Sequence, residues 1–134
     1  MLFTTFMLAS SKSNILWLIG LLLLLVACGG EPVEPTATLE PAAAAGQIVF
    51  QKHCAACHNT TSDTIVVGPS LLGVATRAQT RIPDQTAQSY LLSSIMRPDE
   101  YLVEGFENAM PSNFGRTLTG EEIDSLVAYL LTLE

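Results

Sequence analysis

Apolar and polar positions divide the chain into three stretches of different character. Residues 15–27, Ile-Leu-Trp-Leu-Ile-Gly-Leu-Leu-Leu-Leu-Leu-Val-Ala, form a nearly unbroken apolar run. Residues 29–41 carry recurring Pro and Glu with almost nothing apolar to bury, the composition of an extended, solvated linker. From residue 42 onward apolar and polar positions interleave with helical spacing.

Within that third stretch, Gly46, Val49, Phe50 and His53 follow three- and four-residue steps, which predicts a helix over residues 42–54. A second helix is predicted over residues 87–96, where Leu91, Leu92, Ile95 and Met96 form an apolar stripe stopped by Pro98; this stripe is expected to pack in the core. Near the end, Thr119-Gly120-Glu121-Glu122 reads as a capping box. Behind it Ile123, Leu126, Val127, Leu130 and Leu131 recur at i, i+3, i+4, i+7 and i+8, one face of an amphipathic helix. No segment sustains the two-residue alternation of a strand, and no repeat of solenoid length occurs. The expectation is an all-α domain with long loops.

The apolar run changes the picture of where this domain resides. It follows Lys12, the single side-chain charge among the first 30 residues, and ends in small residues, the layout of a secretory signal. It is also shorter than the roughly 20 residues needed to cross a hydrocarbon core of about 30 Å. Leu25-Val26-Ala27-Cys28 resembles a bacterial lipobox, so Cys28 is the expected lipid attachment site; the alternative is an uncleaved signal anchor. Either keeps the domain tethered, since stable anchoring takes more than one acyl chain or an inserted helix. The expected organisation is a signal with lipobox over 1–27, an acidic linker over 28–41 and a domain over 42–134. At about 3.1 Å per residue the linker could lift that domain up to about 40 Å from a membrane. The expected location is the outer face of the cytoplasmic membrane or the periplasm.

With 134 residues the chain has room for one small domain, as domains usually run to about 100–150 residues. Its mean hydropathy of +0.37 comes from the N-terminal run. Loss of Lys12 on cleavage leaves five Lys and Arg against 13 Asp and Glu, a formal charge of −8. Nucleic acid is excluded as a partner, and a protein partner needs a basic or a neutral apolar patch.

The chemistry concentrates in Cys54-Ala55-Ala56-Cys57-His58. Two thiols at i and i+3 can reach the two vinyl groups of haem while the next residue, His58, lies under the iron, so Cys-x-x-Cys-His is the attachment sequence of c-type haem. Three competing readings are a disulfide, a thioredoxin-like redox pair and half a zinc site. A zinc site needs about four ligands and this motif offers at most three; a thioredoxin pair needs a βαβ pattern that is missing. His53, the other histidine, is read as helix surface or packing. A second axial ligand must come from elsewhere, and a Met thioether opposite His raises the haem potential. Met1 and Met7 fall in the signal, leaving Met96 and Met110. Met96 belongs to the apolar stripe. Met110 sits in the polar segment Glu107-Asn108-Ala109-Met110-Pro111-Ser112, with Pro111 holding it extended, and is the expected iron ligand. A gap-filling Met110 and ligation by Met96 are the alternatives.

With these residues in place the chain resembles class I cytochrome c: an N-terminal helix, Cys-Ala-Ala-Cys-His, Gly68-Pro69-Ser70-Leu71, a middle helix, Met110-Pro111 and a C-terminal helix, in that order over residues 42–134. The stretch from Tyr90 through Pro98, Tyr101, Val103, Gly105-Phe106 and Met110-Pro111 is similar to the cytochrome domains fused to subunit II of some haem-copper oxidases. The resemblance implies the class I cytochrome c fold, helices wrapped around one covalent haem c. It implies that Gly46 and Phe50 pack near Tyr129, that the Pro69 carbonyl accepts the His58 ring N–H, and that Phe114 and Gly115 help close the distal face. It further implies an electron carrier, not an enzyme, serving redox partner proteins without a small-molecule substrate. Such a carrier would work in a respiratory or photosynthetic chain, as a tethered shuttle or as a subunit of a quinol-oxidising or oxidase complex. A haem sensor or peroxidase would instead need an open sixth position, and a structural lipoprotein would leave the Cys-x-x-Cys-His spacing unexplained.

Overall fold

The computed structural model describes residues 39–134. The expected signal, Cys28 and nearly all of the linker lie outside the described residues. Those described form five helices, α1 (Pro41–His53), α2 (Val74–Ala78), α3 (Ala87–Met96), α4 (Phe114–Thr117) and α5 (Gly120–Leu130). None of the described residues is in a strand.

Helix α1 starts one residue earlier than its periodicity suggested, because Pro41 occupies the first turn. There its missing N–H removes a donor that would have no intrahelical partner. Helix α5 begins at the expected capping box: Glu122 N–H donates to Thr119 Oγ1 at 3.2 Å, and Thr119 N–H donates to Glu122 Oε2 at 2.8 Å. The two helices pack directly on one another. Phe50 and Tyr129 stack with ring centroids 5.5 Å apart and tilted by 53°, and Gly46 lets the backbones approach. Phe50 and Leu126 are the largest fully buried side chains of this contact, each contributing on the order of 2 kcal/mol by burial. The positions at which Gly46 and Phe50 meet α5 agree with the resemblance.

The remaining helices close around this pair. Gly73, at φ 68°, turns the chain into α2, and Ala75 N–H donates to Leu133 O at 2.9 Å, tying α2 to the C-terminal tail. Thr86 caps α3 by accepting from Ser89 N–H at 3.1 Å.

Helix α3 is rotated from the expected stripe. Leu91 and Ile95 are buried, but the third inward position is Tyr90, whose ring meets Tyr101 edge-on at 5.8 Å. With Tyr90 inward, the 100° step of a helix carries Leu92 and Met96 outward, where they are 39% and 37% exposed. The reading of Met96 as core packing is therefore corrected: its methyl group rests against α4, within 2.7 Å of where a Cβ on Gly115 would stand. Gly115, expected to help close the distal face, packs against Met96.

Candidate functional site

The residues after α1 turn tightly. Cys54 and Ala55 N–H both donate to Phe50 O, at 2.8 and 3.0 Å, and Cys57 and His58 N–H both donate to Cys54 O at 3.0 Å. Local hydrogen bonds thus hold both thiols and the imidazole on one turn. The next loop folds back onto it: Asn59 Oδ1 accepts from Thr61 and Ser62 N–H at 2.8 and 2.9 Å, a side-chain turn, and Val67 and Gly68 N–H donate to Cys57 O at 3.2 and 3.0 Å.

That closure sets the histidine. His58 Nδ1 lies 2.8 Å from Pro69 O. A carbonyl can only accept, so Nδ1 carries the proton and Nε2 keeps its lone pair for a metal. Gly68 lies against the imidazole, where a Cβ would come within 2.4 Å of Cε1. The expected Pro69 contact is therefore present, and the backbone positions the ring from two sides.

Cys54, Cys57 and His58 line a cavity of about 530 Å³, within the roughly 300–1,000 Å³ of ligand and cofactor pockets. Met110, half-buried, lines the same cavity, together with apolar side chains such as Leu71, Leu91 and Phe114. Met96 does not line it. The thiols of Cys54 and Cys57 are free, and burial, then the neighbouring Cys57, pushes Cys54 up to about 11.

Three residues of the site escaped the sequence reading. His53, expected on the surface or in packing, lines the cavity beside Cys54. Arg77 and Arg81 line it too. The Arg77 guanidinium donates to Ser70 O at 2.8 Å and to Leu72 O, both neutral acceptors. The signal available was the four-residue spacing of the two arginines just past Gly68-Pro69-Ser70-Leu71, but spacing does not say which way they face. Arg77 and Arg81 are matched in the lining by Asp63 and Glu107. An apolar slot with two thiols and an imidazole along it fits haem, a flat, largely apolar ring system that attaches through two sulfurs and a ring nitrogen.

A family model for cytochrome c matches residues 43–134. This chain belongs to the cytochrome c family. Its cofactor is covalent haem c, its fold is the all-α fold of class I cytochrome c, and its function is haem-based electron transfer. As a cytochrome c it is an electron carrier rather than a classical enzyme, and its partners are redox proteins. A search of curated proteins finds no match. One further feature of this cytochrome c bears on those partners: Ile65 and Val67 line the cavity, while Val66 between them is 51% exposed outside that lining, on the loop whose end is bonded to Cys57 O.

Proposed function

We propose that this cytochrome c is a membrane-tethered monohaem carrier with His/Met axial ligation. Cys54 and Cys57 would hold the haem covalently, each through its sulfur. His58 Nε2 and Met110 Sδ would hold its iron. Bound haem supplies a one-electron Fe(II)/Fe(III) couple. The chain's own residues do the rest: the Pro69 carbonyl orients His58, and apolar neighbours such as Leu91 and Phe114 exclude water, which with the thioether ligand raises the potential. No side chain is required as acid or base. The observation that carries this reading is that His58 and Met110 line one cavity from which Met96 is absent.

Cys28 is the lipid attachment site in this reading, with an uncleaved signal anchor as the other form of tether. The domain then works on the outer face of the cytoplasmic membrane or in the periplasm, within a respiratory or photosynthetic chain. It serves there as a leashed shuttle or as a subunit of a quinol-oxidising or oxidase complex. Acidity and the exposed apolar loop beside Cys57 both favour a partner with a basic or apolar face.

Oxidised and reduced absorption spectra of the exported protein test the ligation. The wild type is expected to show low-spin covalent haem with the weak far-red band of Met ligation, which Met110→Ala removes and Met96→Ala retains. A band that survives Met110→Ala refutes the assignment, and an open sixth position in the wild type favours a sensor or peroxidase. Fatty-acid labelling lost in Cys28→Ala tests the anchor.

A further inference from the structure

The bond from His58 Nδ1 to Pro69 O joins residues 11 apart, and hydrogen bonds weaken steeply as distance and angle leave their optimum. The carbonyl therefore has to be held as well as supplied. Main-chain bonds bracket it: Gly68 N–H donates to Cys57 O and Leu71 N–H donates to Asn59 O at 2.7 Å. The Pro69 carbonyl itself belongs to the peptide unit shared with Ser70, so whatever holds Ser70 acts on it directly.

Ser70, half-buried, is bonded at two atoms. Its Oγ donates to Ser62 O at 2.7 Å and accepts from Leu72 N–H at 3.2 Å, and its carbonyl accepts from the Arg77 guanidinium of α2 at 2.8 Å. A serine hydroxyl in a loop usually bonds backbone within a few residues of its own. This one reaches back eight residues, to a serine that is itself tied to the neighbour of His58, since Ser62 N–H donates to Asn59 Oδ1 at 2.9 Å.

The result is a closed circuit. It runs from His58 to Asn59 by peptide bond, through hydrogen bonds to Ser62 and then Ser70, by peptide bond to Pro69, and back to His58 Nδ1. The link from Ser70 to Ser62 fixes the accepting end of that circuit and depends on one hydroxyl.

We propose that Ser70 is a positioning residue for electron transfer: through Ser62 it holds Pro69 O against the His58 Nδ1 proton and so sets how strongly Nε2 donates to iron. A firm acceptor on Nδ1 makes the imidazole more basic, and a more basic ligand favours the ferric state and lowers the reduction potential. This role rests on the reading of His58 as an axial ligand.

The experiment compares haem-loaded wild type with Ser70→Ala, Ser70→Thr and Asn59→Ala, by redox titration and by the His58 Nδ1–H proton resonance of the ferrous protein. Ser70→Ala is expected to raise the potential, move the resonance upfield and speed its exchange with solvent. Ser70→Thr keeps the hydroxyl and is expected to keep the wild-type values. Asn59 does not line the haem cavity, so Asn59→Ala opens the circuit without touching the cofactor. It is expected to shift potential and resonance in the same directions, and it decides if Ser70→Ala does not mature. Thr132→Ala removes a hydroxyl bond of the same 2.7 Å length, to Tyr129 O outside the cavity lining, and is expected to leave both readouts unchanged. A resonance unmoved in both Ser70→Ala and Asn59→Ala overturns the proposal, and so does a potential that moves while the resonance does not. A wild type whose ferrous spectrum lacks the resonance of a ligating His58 refutes the ligation reading and the proposal with it. A ligating His58 indifferent to both variants refutes the proposal alone.

Discussion

Gly46 of α1 and Ser125 of α5 meet backbone to backbone: a Cβ on residue 46 would stand 1.8 Å from the Ser125 carbonyl oxygen and 2.9 Å from Leu126 N. Because the obstacle is main chain, no rotamer change relieves it. Gly46→Ala must part the two helices and disturb the Phe50–Tyr129 contact. The expected loss is about 3 kcal/mol in chemical denaturation of the holoprotein.

Gly68 plays the same part for the histidine. Gly68→Ala would set a methyl group 2.4 Å from His58 Cε1, so the ring must rotate or retreat and its hydrogen bond to Pro69 O must weaken. The expected readout is a shifted or weakened far-red band and a changed reduction potential. Gly120→Ala is the control, since a Cβ there meets nothing within 4 Å; it should leave the spectrum alone and leave stability equal or higher by about 0.5 kcal/mol.

The cap of α5 carries a pH dependence. The Thr119 backbone N–H, and after it the Thr119 hydroxyl, hold the Glu122 carboxyl below its ordinary value of 4.5. A folded value below the unfolded one gives stability that is present above 4.5 and lost as pH falls through the folded value. The advantage of wild type over Glu122→Ala should therefore be seen at neutral pH and shrink on acidification, in unfolding curves recorded at both. Thr119→Ala should cost about 1 kcal/mol at neutral pH through the lost cap.

Val66 is 51% exposed and does not line the haem cavity, yet its loop is bonded to Cys57 O through Val67 and Gly68 N–H. It therefore stands beside the edge at which Cys57 would hold haem. Val66→Asp is expected to slow electron transfer with a protein partner several-fold and to leave the rate with a small uncharged oxidant unchanged. Ile48→Asp, at a residue 71% exposed on α1 and outside the cavity lining, should change neither rate.

What was legible in the sequence was local. The haem motif joins five consecutive residues, the capping box spans Thr119 to Glu122, and the apolar face of α5 repeats within 11 residues. In each, the interacting groups are covalently close, so spacing alone determines who meets whom. Met110 stood out for a related reason, an isolated thioether before proline in a polar segment.

Tertiary structure decided what depends on orientation between distant segments. The apolar stripe of α3 was correct at Leu91 and Ile95 and wrong at Leu92 and Met96. Period gives the width of a face but not its rotation, and Tyr90 against Tyr101 set that rotation. His53, Arg77 and Arg81 could face solvent or cavity with equal local sense, and only the tertiary structure sets them along the cavity wall. The His58 hydrogen bond to Pro69 spans 11 residues, so it came from family resemblance rather than from spacing. Contacts between near neighbours were enough to read the cofactor chemistry and the three longer helices, whereas the short helices α2 and α4 carried no periodic signal. The fold decided the walls of the site, since burial is a property of many distant segments at once.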